Sequence, residues 1–159
     1  MDKPETKEYK TFLDLFFPTA EKYSVAVLDD DEYFNTLMTE VLKHYSSNLA
    51  VLYQAQIEVH SYLKVDDFFK GINSKDFKGT RKVLFIDYYL NDSQKAIDVL
   101  SQLQPDKDRR IVIISETKNF QIAAEAKQLG ATQFIRKDQF THFMCTSLLE
   151  EFIREDASS

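Results

Sequence analysis

The sequence predicts an α/β fold: an open, doubly wound, five-stranded parallel sheet with helices on both faces and an extra helix at the N-terminus. Five apolar runs rich in β-branched residues recur along the chain, and segments with the apolar spacing of helices lie between and after them. Parallel strands are joined by right-handed crossovers, so this alternation places helices on both faces of one sheet.

The predicted strands are short and punctuated by polar residues. They lie at residues 24–28 (SVAVL), 57–63 (IEVHSYL), 82–86 (KVLFI), 110–114 (RIVII) and 132–136 (TQFIR). The first, third and fourth are nearly continuous apolar stretches, which is typical of parallel strands that are buried on both faces.

The predicted helices follow from apolar residues repeated every three or four positions. The clearest stripe consists of Phe34, Leu37, Met38, Val41, Leu42 and Tyr45. Shorter helices are predicted at 66–72, 94–104 and 119–129, and a final one at 140–154. Gly130 marks the end of the helix at 119–129.

Residues 1–23 precede the first strand as an extension, followed by a domain at 24–154 and a polar tail at 155–159. The extension contains a one-sided stripe that ends at Pro18. The stripe consists of Tyr9, Phe12, Leu13, Phe16 and Phe17. An exposed apolar stripe needs a partner, so this N-terminal helix is expected to pack on its own domain or on a partner or a second copy, with disorder of the extension as the remaining alternative.

Length and charge narrow the class of protein. The chain has 159 residues, enough for one compact domain. Its net charge of −6 and sequence pI near 5.1 argue against nucleic-acid binding, which needs a basic face. No apolar run approaches the roughly 18 residues of a membrane span. The N-terminus lacks the pattern of a secretory signal. The single cysteine, Cys145, excludes an internal disulfide, and a reducing cytoplasm is the expected location.

Polar side chains follow four of the five predicted strands. They are Asp29, Asp30 and Asp31 after the first strand, Asp87 after the third, Ser115 after the fourth and Lys137 after the fifth. Each alone is ordinary, since acidic residues often cap helices and lysines often lie on surfaces. Ligands of such sheets bind beyond the carboxyl ends of the strands. Because these polar side chains all follow strand ends, they lie at the same edge of the sheet and predict a ligand site there.

The residue types at this edge suit phosphoryl transfer. Clustered carboxylates without a nearby imidazole or thiolate favour a hard cation, Mg²⁺ before Zn²⁺. One carboxylate can act as a nucleophile while the metal neutralises an incoming phosphoryl group. A hydroxyl and an ammonium on the facing loops would hold the remaining phosphoryl oxygens.

Four segments resemble the response-regulator receiver domain of two-component signalling, the CheY-like family. They are VLDDDE (27–32), LFIDYYL (84–90), IIS (113–115) and AKQLGATQFIRK (126–137), in matching order and at matching intervals. The resemblance extends over about residues 24–153, nearly the whole chain. It implies a flavodoxin-like sheet with strand order 2-1-3-4-5.

The resemblance also implies roles for individual residues. Asp87 matches the phosphoacceptor, and the implied Mg²⁺ ligands are Asp29, Asp30, Asp87 and the backbone carbonyl of Tyr89. Lys137 matches the ammonium that contacts the phosphoryl group, Ser115 the switch hydroxyl and Phe134 the switch aromatic that follows it inward. Asp31 then remains a residue that caps the first helix or favours its dipole.

As a receiver, the chain would accept a phosphoryl group on Asp87 from a histidine kinase or phosphotransfer protein. It would be no enzyme beyond its own phosphorylation and dephosphorylation. Output would be protein contact or homodimerisation through helix 4, strand 5 and helix 5, or through the N-terminal helix. A degenerate receiver that binds partners without phosphorylation is an open alternative. A haloacid-dehalogenase-type phosphatase is weaker, because Tyr89 stands where that class needs a second acid.

The loop after Asp87 departs from the family pattern. Asn91 stands where the family usually has proline, and Lys95 where it has glycine. No liganding atom is removed, but the resemblance does not predict the shape of this loop. Tyr89, two residues after the acceptor, is a bulky side chain that could shield the acyl phosphate, which suggests slow self-dephosphorylation.

Two further departures flank the other strand ends. Glu116 replaces a small residue after the switch hydroxyl and would slow phosphorylation if it pointed inward, although an outward orientation is favoured. Asp138 replaces a proline after Lys137. A cis bond before a residue other than proline costs roughly 2.5–4 kcal/mol, so a trans bond is expected.

Overall fold

The fold was analysed in a computed structural model, which describes residues 20–91, 93–117 and 119–159. The predicted N-terminal helix and its apolar stripe lie outside these residues. None of the helices in the described ranges is both long enough and apolar enough to cross a membrane.

The predicted sheet is confirmed. Its five strands are all parallel, and their order across the sheet is β2-β1-β3-β4-β5. The strands are β1 Lys22–Leu28, β2 Gln56–Tyr62, β3 Arg81–Asp87, β4 Arg109–Ser115 and β5 Gln133–Arg136. β1, β3 and β4 are central and almost entirely buried, as their continuous apolar runs predict.

Five helices and a short 3₁₀ turn at Lys75–Phe77 complete the described fold. The helices are α1 Glu32–Tyr53, α2 Val65–Ile72, α3 Ala96–Gln102, α4 Phe120–Gln128 and α5 Thr141–Ala157. α1 and α5 form a core with one face of the sheet, and α2, α3 and α4 form a core with the other. Past the end of α4, Gly130 has a φ of +104°, in the left-handed region that favours glycine.

The start of α1 is capped by Asp31. Its side-chain Oδ1 accepts a hydrogen bond of 3.0 Å from the backbone N–H of Phe34, which confirms the predicted helix-start role. The buried face of α1 differs from its apolar stripe. Leu37 is 40% exposed, whereas Asn35 and Thr39 are buried and share a hydrogen bond of 3.2 Å.

An ion cluster ties the end of α5 to the edge of the sheet where the strands begin. The carboxylate of Asp156 accepts two hydrogen bonds from Arg110, at 2.8 and 3.0 Å, and one from the Tyr23 hydroxyl at 2.7 Å. The Arg81 guanidinium lies 3.4 Å from Asp156 Oδ1. Burial alone would raise the pKa of Asp156. The hydrogen bonds from Arg110 and Tyr23 lower this pKa by more than burial raises it, so the net shift is downward.

Candidate functional site

The carboxyl edge of the sheet brings together three carboxylates and one ammonium. Oxygens of Asp29, Asp30 and Asp87 all lie within 4.8 Å of one another. The Lys137 Nζ lies 2.8 Å from Asp29 Oδ2 and 3.2 Å from Asp87 Oδ1. Asp29 and Asp87 are buried and Asp30 is exposed, so the cluster opens to solvent on one side.

The acidic turn after β1 is held by backbone contacts that the sequence analysis missed. The Asn35 side-chain amide donates to the carbonyl of Asp29 at 2.9 Å and to that of Tyr62, at the end of β2, at 2.8 Å. The backbone N–H of Asp31 donates to Asp29 Oδ1 at 2.9 Å. These bonds fix the Asp29 carboxylate against the edge of the sheet. The only sequence signal was a polar residue one turn before Met38 on the same face of α1.

Lys137 is positioned from three directions. Its backbone N–H donates to the carbonyl of Ser115 at 2.7 Å, which extends the pairing of β4 and β5. Its ammonium bridges Asp29 and Asp87 and lies 4.2 Å from the centre of the Phe34 ring, a cation–π distance. Burial alone would lower the pKa of Lys137. The hydrogen bond to Asp29 and the charge of Asp87 raise this pKa by more than burial lowers it, so the side chain is stabilised as a cation.

The cluster contains more negative than positive charge, with three carboxylates and one ammonium. Burial and the charge of Asp29 raise the pKa of Asp87 to about 7, although Lys137 opposes the shift. Burial likewise raises the pKa of Asp29. The Lys137 ammonium does not balance the charge of the three carboxylates, and a bound metal cation would favour their charged forms.

The donor set fits a magnesium ion. It consists of carboxylate oxygens from Asp29, Asp30 and Asp87, close enough together to share one cation, and hard oxygen donors are what Mg²⁺ prefers. The exposed side at Asp30 leaves room for water and for phosphoryl oxygens, which Mg²⁺ commonly keeps among its ligands. A role for the Tyr89 carbonyl as a ligand stays a prediction.

Ser115 and Phe134 lie on the neighbouring strands. Asp87 pairs with Ile114 in the β3–β4 register, so Ser115 is the next residue towards the site. Ser115 is fully buried, and its hydroxyl lies 3.3 Å from that of Thr117. Phe134 is half-buried against the core of α2, α3 and α4. Its ring lines a cavity of about 220 Å³ between α4 and β5, together with Thr117 and Phe120.

The loop after Asp87 is closed by Asn91, which stands where the receiver pattern has proline. The Asn91 Oδ1 accepts from the backbone N–H groups of Ser93 and Gln94 at 2.9 and 2.8 Å. Tyr89 and Lys95 form an isolated antiparallel bridge across the loop. A side-chain acceptor at position 91 thus organises a turn that proline could not form in this way.

The other two departures from the receiver pattern, Glu116 and Asp138, do not disturb the carboxylate cluster. Glu116 is exposed, as favoured from the sequence. The described residues contain no cis peptide bond, so the Lys137–Asp138 bond is trans as predicted. The backbone N–H of Asp138 donates to the Thr141 hydroxyl at 2.7 Å, a bond that proline could not make.

The strand order and the helix layers are those of the receiver domains of response regulators. The fold predicted from the resemblance is therefore confirmed by the structure. The sequence itself matches no protein-family model and no curated protein.

Several solved receiver domains superpose on the chain. The BeF₃-activated receiver domain of DrrB, a Thermotoga maritima protein, is 14% identical, with a TM-score of 0.59 over 84% of this chain and 98% of its own. The receiver domain of a LuxO repressor protein from Vibrio parahaemolyticus is 16% identical, with a TM-score of 0.63 over 85% and 92%. That of NarL from Mycobacterium tuberculosis is 18% identical, with a TM-score of 0.59 over 84% and 98%. At these identities the likeness establishes the fold.

Proposed function

We propose that the chain is a phosphoacceptor receiver of a two-component phosphorelay, phosphorylated on Asp87. The observation that carries the proposal is the bridge from the Lys137 ammonium to both Asp29 and Asp87, with Asp30 completing a three-carboxylate cluster. A structural ion pair needs one carboxylate. A phosphoryl site needs an acceptor, a metal-binding pair and a cation for the phosphoryl oxygens, and the cluster has a group for each.

In the proposed reaction a carboxylate oxygen of Asp87 attacks the phosphorus of a phosphohistidine on a histidine kinase or phosphotransfer protein. The new phosphorus–oxygen bond forms as the phosphorus–nitrogen bond breaks, and the donor imidazole leaves with the electron pair. Asp29 and Asp30 would hold Mg²⁺, which when bound supplies positive charge against the phosphoryl oxygens. Lys137 would transfer one of its contacts from Asp87 to the phosphoryl group. The chain would act on itself alone.

Phosphorylation would be sensed by Ser115 and Phe134. The Ser115 hydroxyl would leave Thr117 for the phosphoryl group, and the cavity of about 220 Å³ beside Phe134 gives its ring space to change position. The change would alter partner binding or self-association on the face formed by α4, β5 and α5. We place this signalling in the cytoplasm, where soluble receivers meet their kinases.

A degenerate receiver that binds partners without phosphorylation is the second candidate. The atypical loop around Asn91 favours it, since this loop lies beside the acceptor and is closed by its own hydrogen bonds. Under this candidate the Lys137 bridge to Asp29 and Asp87 would serve stability alone. The two candidates differ in one measurable property, the reactivity of Asp87.

The test is labelling of the purified full chain with acetyl phosphate and Mg²⁺, read by intact mass and by peptide mapping. The expected result is one added phosphoryl group on the peptide that contains Asp87, and no labelling when a chelator is present from the start of the reaction. Beryllofluoride with Mg²⁺ should bind the same protein, followed by fluorine NMR.

Two variants sharpen the result. Asp87→Asn should remove both signals, whereas Asp67→Asn, an equal charge change at an exposed position of α2, should leave both intact. A wild-type chain that takes up neither ligand, or labelling that persists in Asp87→Asn, would refute the phosphoacceptor function. The first of these results would favour the degenerate receiver.

A further inference from the structure

The helices α2 and α3 are shorter than the strands that they cover. α2 has 8 residues and α3 has 7, which correspond to about 12 Å and about 10 Å of helix. β3 and β4 have 7 residues each, which extend over about 23 Å. Both helices begin at the carboxyl edge of the sheet, so they end before they reach the edge where the strands begin. A cavity of about 540 Å³ lies at that edge, at the opposite end of the sheet from the carboxylate cluster.

One part of this cavity is apolar. Its lining includes Phe69 and Ile72 of α2, Leu103 after α3 and Leu84 of β3. Leu84 is fully buried, and the other three are half-buried at the margin of the core that α2, α3 and α4 form with the sheet. The cavity volume falls in the range of about 300–1,000 Å³ that is typical of small-molecule sites. A ligand there would cover apolar surface that the short helices leave open.

The other part of the cavity is charged. Lys82 and Arg109 are partners in the β3–β4 register. Side chains alternate along a strand, so both lie on the face of the sheet that carries Leu84 and Ile111. The Lys82 ammonium already has a counter-ion, because it lies 3.0 Å from Asp106 Oδ2.

Arg109 has no such counter-ion. Within the described ranges, no hydrogen bond or ion pair holds its guanidinium. Burial lowers the pKa of Arg109, and the charge of Asp106 offsets this only in part. Lys107 and Asp108, the remaining charged residues of the lining, have opposite charges and cancel. Arg109 therefore supplies one uncompensated positive charge beside the apolar part, in a chain whose net charge is −6.

We propose that this cavity binds a small organic anion, a carboxylate that carries an apolar ring or chain. The carboxylate would accept two parallel hydrogen bonds from the Arg109 guanidinium, whose planar fork matches it. The apolar part would lie on Leu84, between α2 and the segment that follows α3. A doubly charged phosphate fits less well, because Lys82 is already paired and Arg109 alone cannot balance two charges. The proposal does not depend on phosphorylation of Asp87, which lies at the other end of β3.

The test is titration of the ¹⁵N-labelled full-length protein with naphthalene-2-carboxylate, followed by amide chemical shifts. We expect saturable shifts confined to the amides around Phe69, Leu84 and Arg109. Naphthalene-2-methanol has the same rings without the charge. It should bind at least about tenfold more weakly, because it cannot form the charge-assisted pair with Arg109.

Two variants assign the charge effect to one residue. Arg109→Gln should weaken binding of naphthalene-2-carboxylate by about tenfold and leave binding of naphthalene-2-methanol nearly unchanged. Arg136→Gln, an equal charge change at an exposed position of β5, is the matched control and should alter neither. The amide spectrum of each variant reports whether it is folded, and if Arg109→Gln is not, the two probes on the wild type decide.

Three results would each overturn the proposal. They are shifts that do not saturate or that lie away from the cavity, equal affinities of the wild type for the two probes, and equal weakening by Arg109→Gln and Arg136→Gln.

Discussion

Replacing Asp87 by asparagine should make the metal-free protein more stable at neutral pH. The folded protein buries this carboxylate beside Asp29 and raises its pKa from 3.8 to about 7. Each pKa unit corresponds to about 1.4 kcal/mol, so ionised Asp87 costs the fold up to about 4 kcal/mol above pH 7. Asparagine keeps the shape without the charge but weakens the contact with Lys137, and we expect a net gain of about 2–4 kcal/mol.

The sign of the pH dependence follows from the same shift. Folded Asp87 holds its proton more tightly than unfolded Asp87, so the free energy of unfolding should fall as pH rises from about 4 to about 7 and level off above that. Asp29, whose pKa is also raised by burial, contributes in the same direction. Asp87→Asn should flatten the part of this slope that belongs to Asp87.

The measurement is urea unfolding followed by circular dichroism, with chelator present, at several pH values between about 5 and 8. Glu151→Gln, an equal charge change at an exposed position of α5, controls for net charge. Adding Mg²⁺ should stabilise the wild type more than Asp87→Asn, because the variant has lost one ligand. A variant no more stable than the wild type at the top of this pH range, without metal, would refute the reasoning.

Four further predictions follow from single contacts. Asp31→Ala should cost about 1 kcal/mol in urea unfolding through the lost cap, and a loss equally large in Asp31→Asn would contradict the capping role. Gly71→Ala should destabilise by about 1 kcal/mol or more, because its Cβ would meet the ring and hydroxyl of Tyr62; the same substitution should cost much less in a Tyr62→Ala background, and an equal cost there would rule out this clash. Glu116→Ala should leave the rate of acetyl phosphate labelling unchanged, since the side chain is exposed, and a faster rate would show that it repels the donor. Tyr89→Ala should speed loss of the phosphoryl group, measured by the decay of labelled protein, and an unchanged decay would exclude shielding by its ring.

The sheet could be predicted because its central strands are buried on both faces and read as unbroken apolar runs. The extent of α1 could not. Its apolar spacing ends at Tyr45, yet the helix continues to Tyr53 through Ser46 and Ser47, residues of middling helix propensity. Leu49 and Ala50 are buried in the core, and that tertiary packing carries the helix past the weak segment.

The charged groups of the candidate site could be predicted because parallel strands deliver their last residues to one edge. The groups that hold them in place could not. Asn35 acts through backbone carbonyls at the ends of two strands, and the Phe34 ring lies against Lys137, more than a hundred residues away. Such contacts depend on how α1 is rotated against the sheet, and an apolar stripe defines that rotation only coarsely, as the exposure of Leu37 shows.

The Asp156 cluster fixes the last turn of α5, whose middle turns pack in the core, to the edge of the sheet where the strands begin. Its last turn is bound through Asp156 to residues at the starts of β1, β3 and β4. Its first turn follows the loop of Lys137 directly, some 25 Å away along the helix. Because Cys145 and Leu149 pack in the core and Asp156 binds the last turn, a displacement that begins at the Lys137 loop should be largest in the first turn of α5 and should fade towards Ser158.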